Sequence, residues 1–188
     1  MTILPASYDY RTVGRLPDIK NQGSQSTCWA FASLTALEST LRPKETNIYS
    51  VDNMAGNNGY FGNQKDGGNY TRAMAYLLAW KGPVLEADDP YGDGIINRDA
   101  EAVKHVQEIQ ILESKNLESI KMAVFLYGGV ESSLYTSMVN SQDTSMYYNN
   151  ETYSYCYPDS GALDRRRHVC PLCRYLPGFT GTMGSGDV

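Results

Sequence analysis

Apolar residues recur every three or four positions in three stretches of the chain, the spacing that places side chains on one face of an α-helix. These stretches predict helices over about 27–41, 69–81 and 117–127. In the first helix the predicted apolar face is formed by Phe31, Leu34, Leu37 and Leu41. In the second helix it is formed by Ala73, Met74, Leu77, Leu78 and Trp80.

Capping residues and prolines mark the ends of these predicted helices. Ser26 or Thr27 can cap the first helix and Asn116 the third, because their side chains accept hydrogen bonds from the first backbone N–H groups. Arg42-Pro43 is expected to end the first helix and Gly82-Pro83 the second. The rest of the chain predicts an extended arm over 1–20, loops over 44–68, a strand over 106–112 and short strands over 130–160.

Composition places the chain among globular proteins. Its 188 residues are enough for one large domain or two small lobes, and 41% of them are hydrophobic. The net charge is −5 and no periodic basic face is present, so nucleic-acid binding is not predicted. No run approaches the roughly 18 apolar residues of a membrane span, and no signal peptide is visible at the start.

Cys28 is the first candidate for chemistry, because it lies where a Gly- and Ser-containing loop becomes the first predicted helix. A thiol there loses its proton more readily, since the positive end of the helix dipole favours the thiolate. A cysteine taken alone at such a place is most often a buried structural residue. The surrounding residues, Gln22 to Ser33, favour the nucleophile.

The segment Gln-Gly-Ser-x-x-x-Cys-Trp-Ala-Phe-Ala-Ser resembles the active-site segment of papain-like cysteine proteases. The resemblance implies that the Gln22 side chain and the Cys28 backbone N–H form an oxyanion hole. It also implies an α+β fold of two lobes, one helical and one β-rich, with the active-site cleft between them and the last strands missing. The implied activity is peptide-bond hydrolysis through an acyl-enzyme, by a monomer that needs no cofactor.

The same resemblance assigns substrate-binding residues. Gly67 and Gly68 precede the second predicted helix, where the family has a paired glycine along its substrate groove. Backbone without Cβ atoms lets an extended peptide approach and form main-chain hydrogen bonds. A flexible turn is the alternative for this pair. Trp29, next to the nucleophile, is assigned to the same substrate-binding side.

His168 is the predicted base, because it follows Cys28 within the interval of about 130–150 residues expected of papain-like enzymes. His105 is interpreted as an ordinary exposed histidine. The surroundings of His168 depart from the family: Arg165-Arg166-Arg167 precedes it, Pro171 interrupts the following strand, and neither Asn nor Trp occurs after it. The chain is therefore either a truncated member or one whose residues from about 165 onward are foreign to the fold.

Two alternatives to an active peptidase stay open. The first alternative is a peptide-binding pseudoenzyme, which keeps the cleft and Cys28 but lacks an Asn that would orient the base. A zinc-stabilised interaction domain is the second alternative, because zinc accepts His and Cys ligands, although only one Cys-x-x-Cys pair is present. Its candidate ligands are Cys156, His168, Cys170 and Cys173. The preferred prediction contains no metal.

The predicted organisation is a single peptidase region over 1–188. Its helical lobe covers about 20–100, its β lobe about 101–163, and an atypical tail 164–188. The start at Leu4-Pro5-Ala6-Ser7 is similar to a mature papain-like enzyme after propeptide removal. We therefore expect a secreted or cell-surface bacterial protein that acts on peptides or proteins.

Overall fold

The computed structural model describes residues 3–60, 66–113 and 116–134, together with the strand backbone at 148–149, 154–155, 172–176 and 178–180. In these ranges helix α1 spans Cys28–Leu41, α2 spans Val51–Asn57, α3 spans Tyr70–Leu78 and α4 spans Leu117–Leu126. None of the helices in the described part of the chain is long and apolar enough to cross a membrane. The three predicted helices are confirmed.

Helix α2 corrects the prediction of loops over 44–68. Its N-cap Ser50 accepts the Asn53 N–H at 3.0 Å, as a capping serine does. The helix has seven residues, which is less than two full turns. A helix this short does not display a periodic apolar pattern in the sequence. Val51 and Met54 are nevertheless fully buried, so tertiary packing stabilises this short helix.

The strands form antiparallel pairs that connect distant parts of the chain. Strand β1 (Ser7–Asp9) pairs with β6 (Gly178–Thr180), β2 (Val130–Leu134) pairs with β5 (Leu172–Leu176), and β3 (Tyr148–Asn149) pairs with β4 (Ser154–Tyr155). The predicted atypical tail over 164–188 thus supplies two strands, one beside the N-terminal arm and one beside the segment that follows α4.

The main apolar core lies among α1, α2 and α3. Its buried members are Trp29, Ala30, Leu34, Tyr49, Val51, Met54, Ala55, Ala73, Tyr76 and Leu77. A second cluster centres on Tyr10 and Val124, and it packs the N-terminal arm against α4. The Tyr10 hydroxyl donates to the Val124 carbonyl oxygen at 2.5 Å within this cluster. Because Trp29 and Ala30 belong to the larger cluster, the start of α1 is held in the main core.

Helix α3 ends earlier than predicted, and its buried face differs. Trp80 adopts a φ of +56°, and the Trp80 and Lys81 N–H groups donate to the Leu77 and Tyr76 carbonyl oxygens at 3.2 Å each. These bonds form a Schellman motif with tryptophan at the left-handed position that glycine usually takes. Trp80 and Leu78 are about half exposed, while Tyr76 is fully buried, so the predicted apolar face was wrong at its end.

The predicted strand over 106–112 is also wrong, because the structure assigns no strand to these residues. Val106 and Ile109 are partly buried and pack against the helical core. The Val106 carbonyl oxygen accepts the Trp80 indole N–H at 3.2 Å rather than a ladder bond. Apolar residues in this segment therefore anchor an irregular chain to the helices.

Candidate active site

The loop that leads into α1 is closed by hydrogen bonds among its own residues. The Gln22 side-chain Nε2 donates to the Gln25 carbonyl oxygen at 2.7 Å, and the Gln25 N–H donates to the Gln22 carbonyl oxygen at 3.3 Å. The Asn21 side-chain oxygen accepts the Gly23 N–H at 2.8 Å. One N–H of the Gln22 amide is thus engaged inside the loop, and the amide carries a second N–H.

Lys20, two positions before Gln22, forms an ion pair with Glu38 of α1. Lys20 Nζ lies 2.5 Å from Glu38 Oε1, and the two side chains are 16% and 1% exposed. The same Glu38 oxygen accepts the Tyr49 N–H at 3.0 Å. Because both charges are largely shielded from water, this ion pair fixes the start of the loop against the helix.

Cys28 is the first residue of α1 and is 8% exposed. The Thr27 carbonyl oxygen accepts the Ala30 and Phe31 N–H groups at 2.9 and 3.1 Å, so helical bonding begins directly before the cysteine. Thr27 occupies the N-cap position, but its hydroxyl makes no capping hydrogen bond, which corrects the predicted cap. The thiol lies at the helix end where the dipole stabilises negative charge.

The Thr27 hydroxyl pairs instead with the Tyr91 hydroxyl at 2.7 Å. The Tyr91 hydroxyl also donates to the Gln22 carbonyl oxygen at 2.8 Å, and its ring packs edge-on against Phe31 with ring centroids 4.9 Å apart. Sequence reasoning missed Tyr91. Its position after Pro90 marks a turn, but no local pattern reveals contacts with residues 64 and 69 positions away.

Trp29 and Gly68 are in direct contact. A Cβ atom added to Gly68 would lie 2.4 Å from Trp29 Cε2 and Nε1, so only glycine fits the present geometry. Gly67 has a φ of +74° and nothing within 4 Å of an added Cβ, which leaves it open to approach. Trp29 itself is 1% exposed and belongs to the core. It therefore supports the paired glycines from behind rather than offering surface of its own.

His168, Cys156 and Cys170 lie outside the described residues, and Cys173 is described only through the backbone of β5. His105 is exposed, as predicted, and stacks on Trp80 with ring centroids 4.7 Å apart. Within the described ranges, no group of three or more His, Cys, Asp or Glu side chains is arranged to hold a metal ion.

Electrostatics near Tyr91 depend on burial. Burial raises the pKa of the Tyr91 hydroxyl, which is therefore protonated and able to donate at neutral pH. The Glu86 side chain accepts the Tyr91 N–H at 2.9 Å. Burial also raises the pKa of Glu86, and the nearby Asp52 and Asp89 carboxylates raise it further, while the bond from Tyr91 and the Lys20 charge lower it.

The sequence model of the papain family of cysteine proteases matches residues 4–164. The chain belongs to this family. The match includes Gln22, Cys28 and the paired glycines, and it ends before His168. Family membership agrees with the geometry, in which a cysteine begins a helix and a glutamine loop is held against it.

Curated papain-family relatives resemble part of the chain. Cathepsin S from Mus musculus is 34% identical over 93 residues, which is 47% of this chain and 27% of cathepsin S. Ananain from Ananas comosus is 32% identical over 88 residues, which is 47% of this chain and 26% of ananain. The matches thus span about a quarter of the length of these relatives.

Solved structures of the family share the fold. The cysteine protease and lectin-like domains of Cwp84, a surface layer associated protein of Clostridium difficile, superpose with a TM-score of 0.73 and 26% identity, covering 95% of this chain and 40% of that one. Digestive procathepsin L2 proteinase from Tenebrio molitor larval midgut gives a TM-score of 0.72 at 19% identity, covering 97% of this chain and 56% of that one. The papain-like α+β fold is therefore confirmed.

Proposed function

We propose that this chain is the catalytic region of a cysteine endopeptidase that cleaves peptide bonds through an acyl-enzyme. The observation that carries this proposal is the position of Cys28 as the first residue of α1 in a papain-family chain. The helix dipole favours the thiolate, which attacks the scissile carbonyl carbon and forms a thioester as the amine leaves. Water then hydrolyses the thioester and regenerates the thiolate.

The proposed oxyanion hole consists of the Gln22 amide and the Cys28 backbone N–H. The first N–H groups of a helix point out of its N-terminal end, which is a suitable direction for stabilising negative charge. The loop around Gln22 is held by the hydrogen bonds described above, so the amide is positioned before substrate arrives. His168 is proposed as the general base and acid, from its sequence position alone.

The proposed substrate is an extended peptide that lies against Gly67 and Gly68. Main-chain hydrogen bonds from this segment need close backbone approach, and the open space beside Gly67 supports this role. Trp29 contributes by holding Gly68 in place. The whole of 1–188 is proposed to act as one peptidase region and as a monomer.

A secreted or cell-surface location in a bacterium is proposed as well. The similar Cwp84 is described as a surface layer associated protein of Clostridium difficile.

The experiment is peptide hydrolysis combined with intact-mass analysis after exposure to an epoxysuccinyl peptide. Wild type is expected to hydrolyse peptide and to gain one adduct, and Cys28→Ala is expected to lose both. Gln22→Ala should lower kcat by about 10²–10³-fold with little change in KM, because an oxyanion donor acts mainly in the transition state. Gln110→Ala, which removes an exposed amide bonded to Glu108, is the matched control and should retain activity.

Three results would contradict the proposal in different ways. Hydrolysis that survives in Cys28→Ala would exclude Cys28 as the nucleophile. An unchanged kcat in Gln22→Ala would remove Gln22 from the oxyanion hole. A folded wild type that gains the adduct and binds peptide without cleaving it would favour the pseudoenzyme, the second candidate, because Arg165-Arg166-Arg167 and Pro171 depart from the family pattern around His168.

A further inference from the structure

The Tyr91 hydroxyl joins the two segments that carry the proposed catalytic groups. It lies 2.8 Å from the Gln22 carbonyl oxygen and 2.7 Å from Thr27 Oγ1, and Thr27 directly precedes Cys28. A carbonyl oxygen only accepts, so the single Tyr91 proton is directed to Gln22. The Thr27 hydroxyl must then donate to Tyr91. The result is a directed chain from Thr27 through Tyr91 to Gln22.

This use of Thr27 explains why its hydroxyl does not cap α1. A threonine at the N-cap ordinarily accepts an N–H from the first helical turn. Here the side chain is fully buried and its proton is given to Tyr91. The N-cap residue of α1 therefore contributes its hydroxyl to the contact with Tyr91 instead of capping the helix.

The backbone around Tyr91 is itself fixed. The Tyr91 N–H donates to Glu86 at 2.9 Å, and the Gly92 N–H donates to the fully buried Asp52 of α2 at 2.8 Å. The edge-on contact with Phe31 orients the ring. A tyrosine held at its backbone, ring and hydroxyl can transmit position to the residues that it contacts.

We propose that Tyr91 is a positioning residue for peptide hydrolysis, which holds the Gln22 loop in register with the nucleophile helix. This inference rests on the proposed function. Tyr91 acts through Gln22 and Thr27 and does not itself contact the reacting atoms. Because oxyanion donors must be placed to within a fraction of an ångström, loss of the hydroxyl should mainly slow the chemical step.

The test compares Tyr91→Phe with Tyr76→Phe. Both variants remove one tyrosine hydroxyl bonded at 2.7–2.8 Å, but the Tyr76 hydroxyl donates to Asn53 in the helical core. Tyr91→Phe is expected to lower kcat about tenfold or more with KM changed less than about threefold. Tyr76→Phe is expected to leave kcat near the wild-type value.

A second readout separates positioning from general damage. Iodoacetamide alkylates the Cys28 thiolate by displacing iodide, a reaction that needs no oxyanion hole. In Tyr91→Phe, the rate of Cys28 alkylation should stay within about threefold of wild type although kcat falls. Thr27→Val, which keeps a β-branched side chain but removes the donor, should behave similarly, whereas Thr27→Ser keeps a hydroxyl and should retain most of the wild-type kcat.

The outcomes are distinguishable from failure of the proposed function. An active wild type whose kcat is unchanged in Tyr91→Phe would refute the positioning role alone. Equal losses of kcat and alkylation in both Tyr→Phe variants would indicate a structural role and would also refute it. A folded wild type without Cys28-dependent hydrolysis would refute the proposed function, and the inference with it.

Discussion

Replacing Gly68 with alanine tests the contact that holds the paired glycines against the nucleophile helix. The new Cβ would lie 2.4 Å from two atoms of the Trp29 indole and 2.8 Å from a third. Because ordinary contact begins near 3.4 Å, either the 68 backbone or the indole must move by about 1 Å. Trp29 is 1% exposed and surrounded by core residues, so it has little room to yield.

The expected cost is that of overpacking, about 1–3 kcal/mol in the free energy of unfolding. For a chain of this size, it corresponds to a fall of roughly 2–4 °C in Tm per kcal/mol. Gly67→Ala is the matched control, because its Cβ would meet nothing within 4 Å. Its left-handed backbone costs about 1–2 kcal/mol, which is partly offset by about 0.4–1 kcal/mol from the stiffer unfolded chain.

Urea unfolding followed by far-UV circular dichroism measures these changes without relying on tryptophan fluorescence. Combining Gly68→Ala with Trp29→Phe should recover at least about 1 kcal/mol relative to the sum of the single changes, because the clashing indole atoms are removed. Additivity within about 0.5 kcal/mol would refute the steric argument. A Gly67→Ala variant that shows the same coupling to Trp29→Phe would refute it too, because its Cβ meets no indole atom.

Two further predictions concern buried charge. Lys20→Met should lower the free energy of unfolding by about 3–5 kcal/mol, because the nearly inaccessible Glu38 carboxylate loses its cation. Lys104→Met, in a pair with Glu45 that is more than a third exposed, should cost at most about 1 kcal/mol, and equal losses in urea unfolding would contradict this. Burial raises the pKa of Glu86, so its contribution to stability is present below its unfolded value of about 4.3 and is lost as pH rises through the higher folded value. Glu86→Gln should therefore gain stability relative to wild type between pH 4 and 7 in thermal unfolding, and parallel pH curves would contradict this.

Helices with a long periodic apolar face were predictable from the sequence, and their ends were less so. The α3 pattern continued through Leu78 to Trp80, and nothing in it indicated that Trp80 would adopt a left-handed φ. Its indole is held by His105 and by the Val106 carbonyl oxygen, both distant in sequence. The left-handed turn at Trp80 is thus accompanied by contacts with distant residues, which the helical pattern does not encode.

Site residues that lie close together in the sequence were predictable, whereas contacts between distant residues were not. Gln22 and Cys28 lie within one short segment, so their residue types and spacing identify them together. Gly68 was recognised as part of a glycine pair, but its contact with Trp29 depends on how α1 and α3 pack. Tyr91 was missed because its partners are set by the folded loop over 86–92, which no periodicity describes.

The sequence separation of the Tyr91 contacts bears on the order in which the protein is made. Gln22 and Cys28 are synthesised well before Tyr91, which is 69 and 64 positions beyond its two partners, Gln22 and Thr27. A nascent chain that ends before residue 91 already contains the thiol but not the hydroxyl that joins the Gln22 loop to the start of α1. Vectorial synthesis thus separates the appearance of the cysteine from completion of its surroundings.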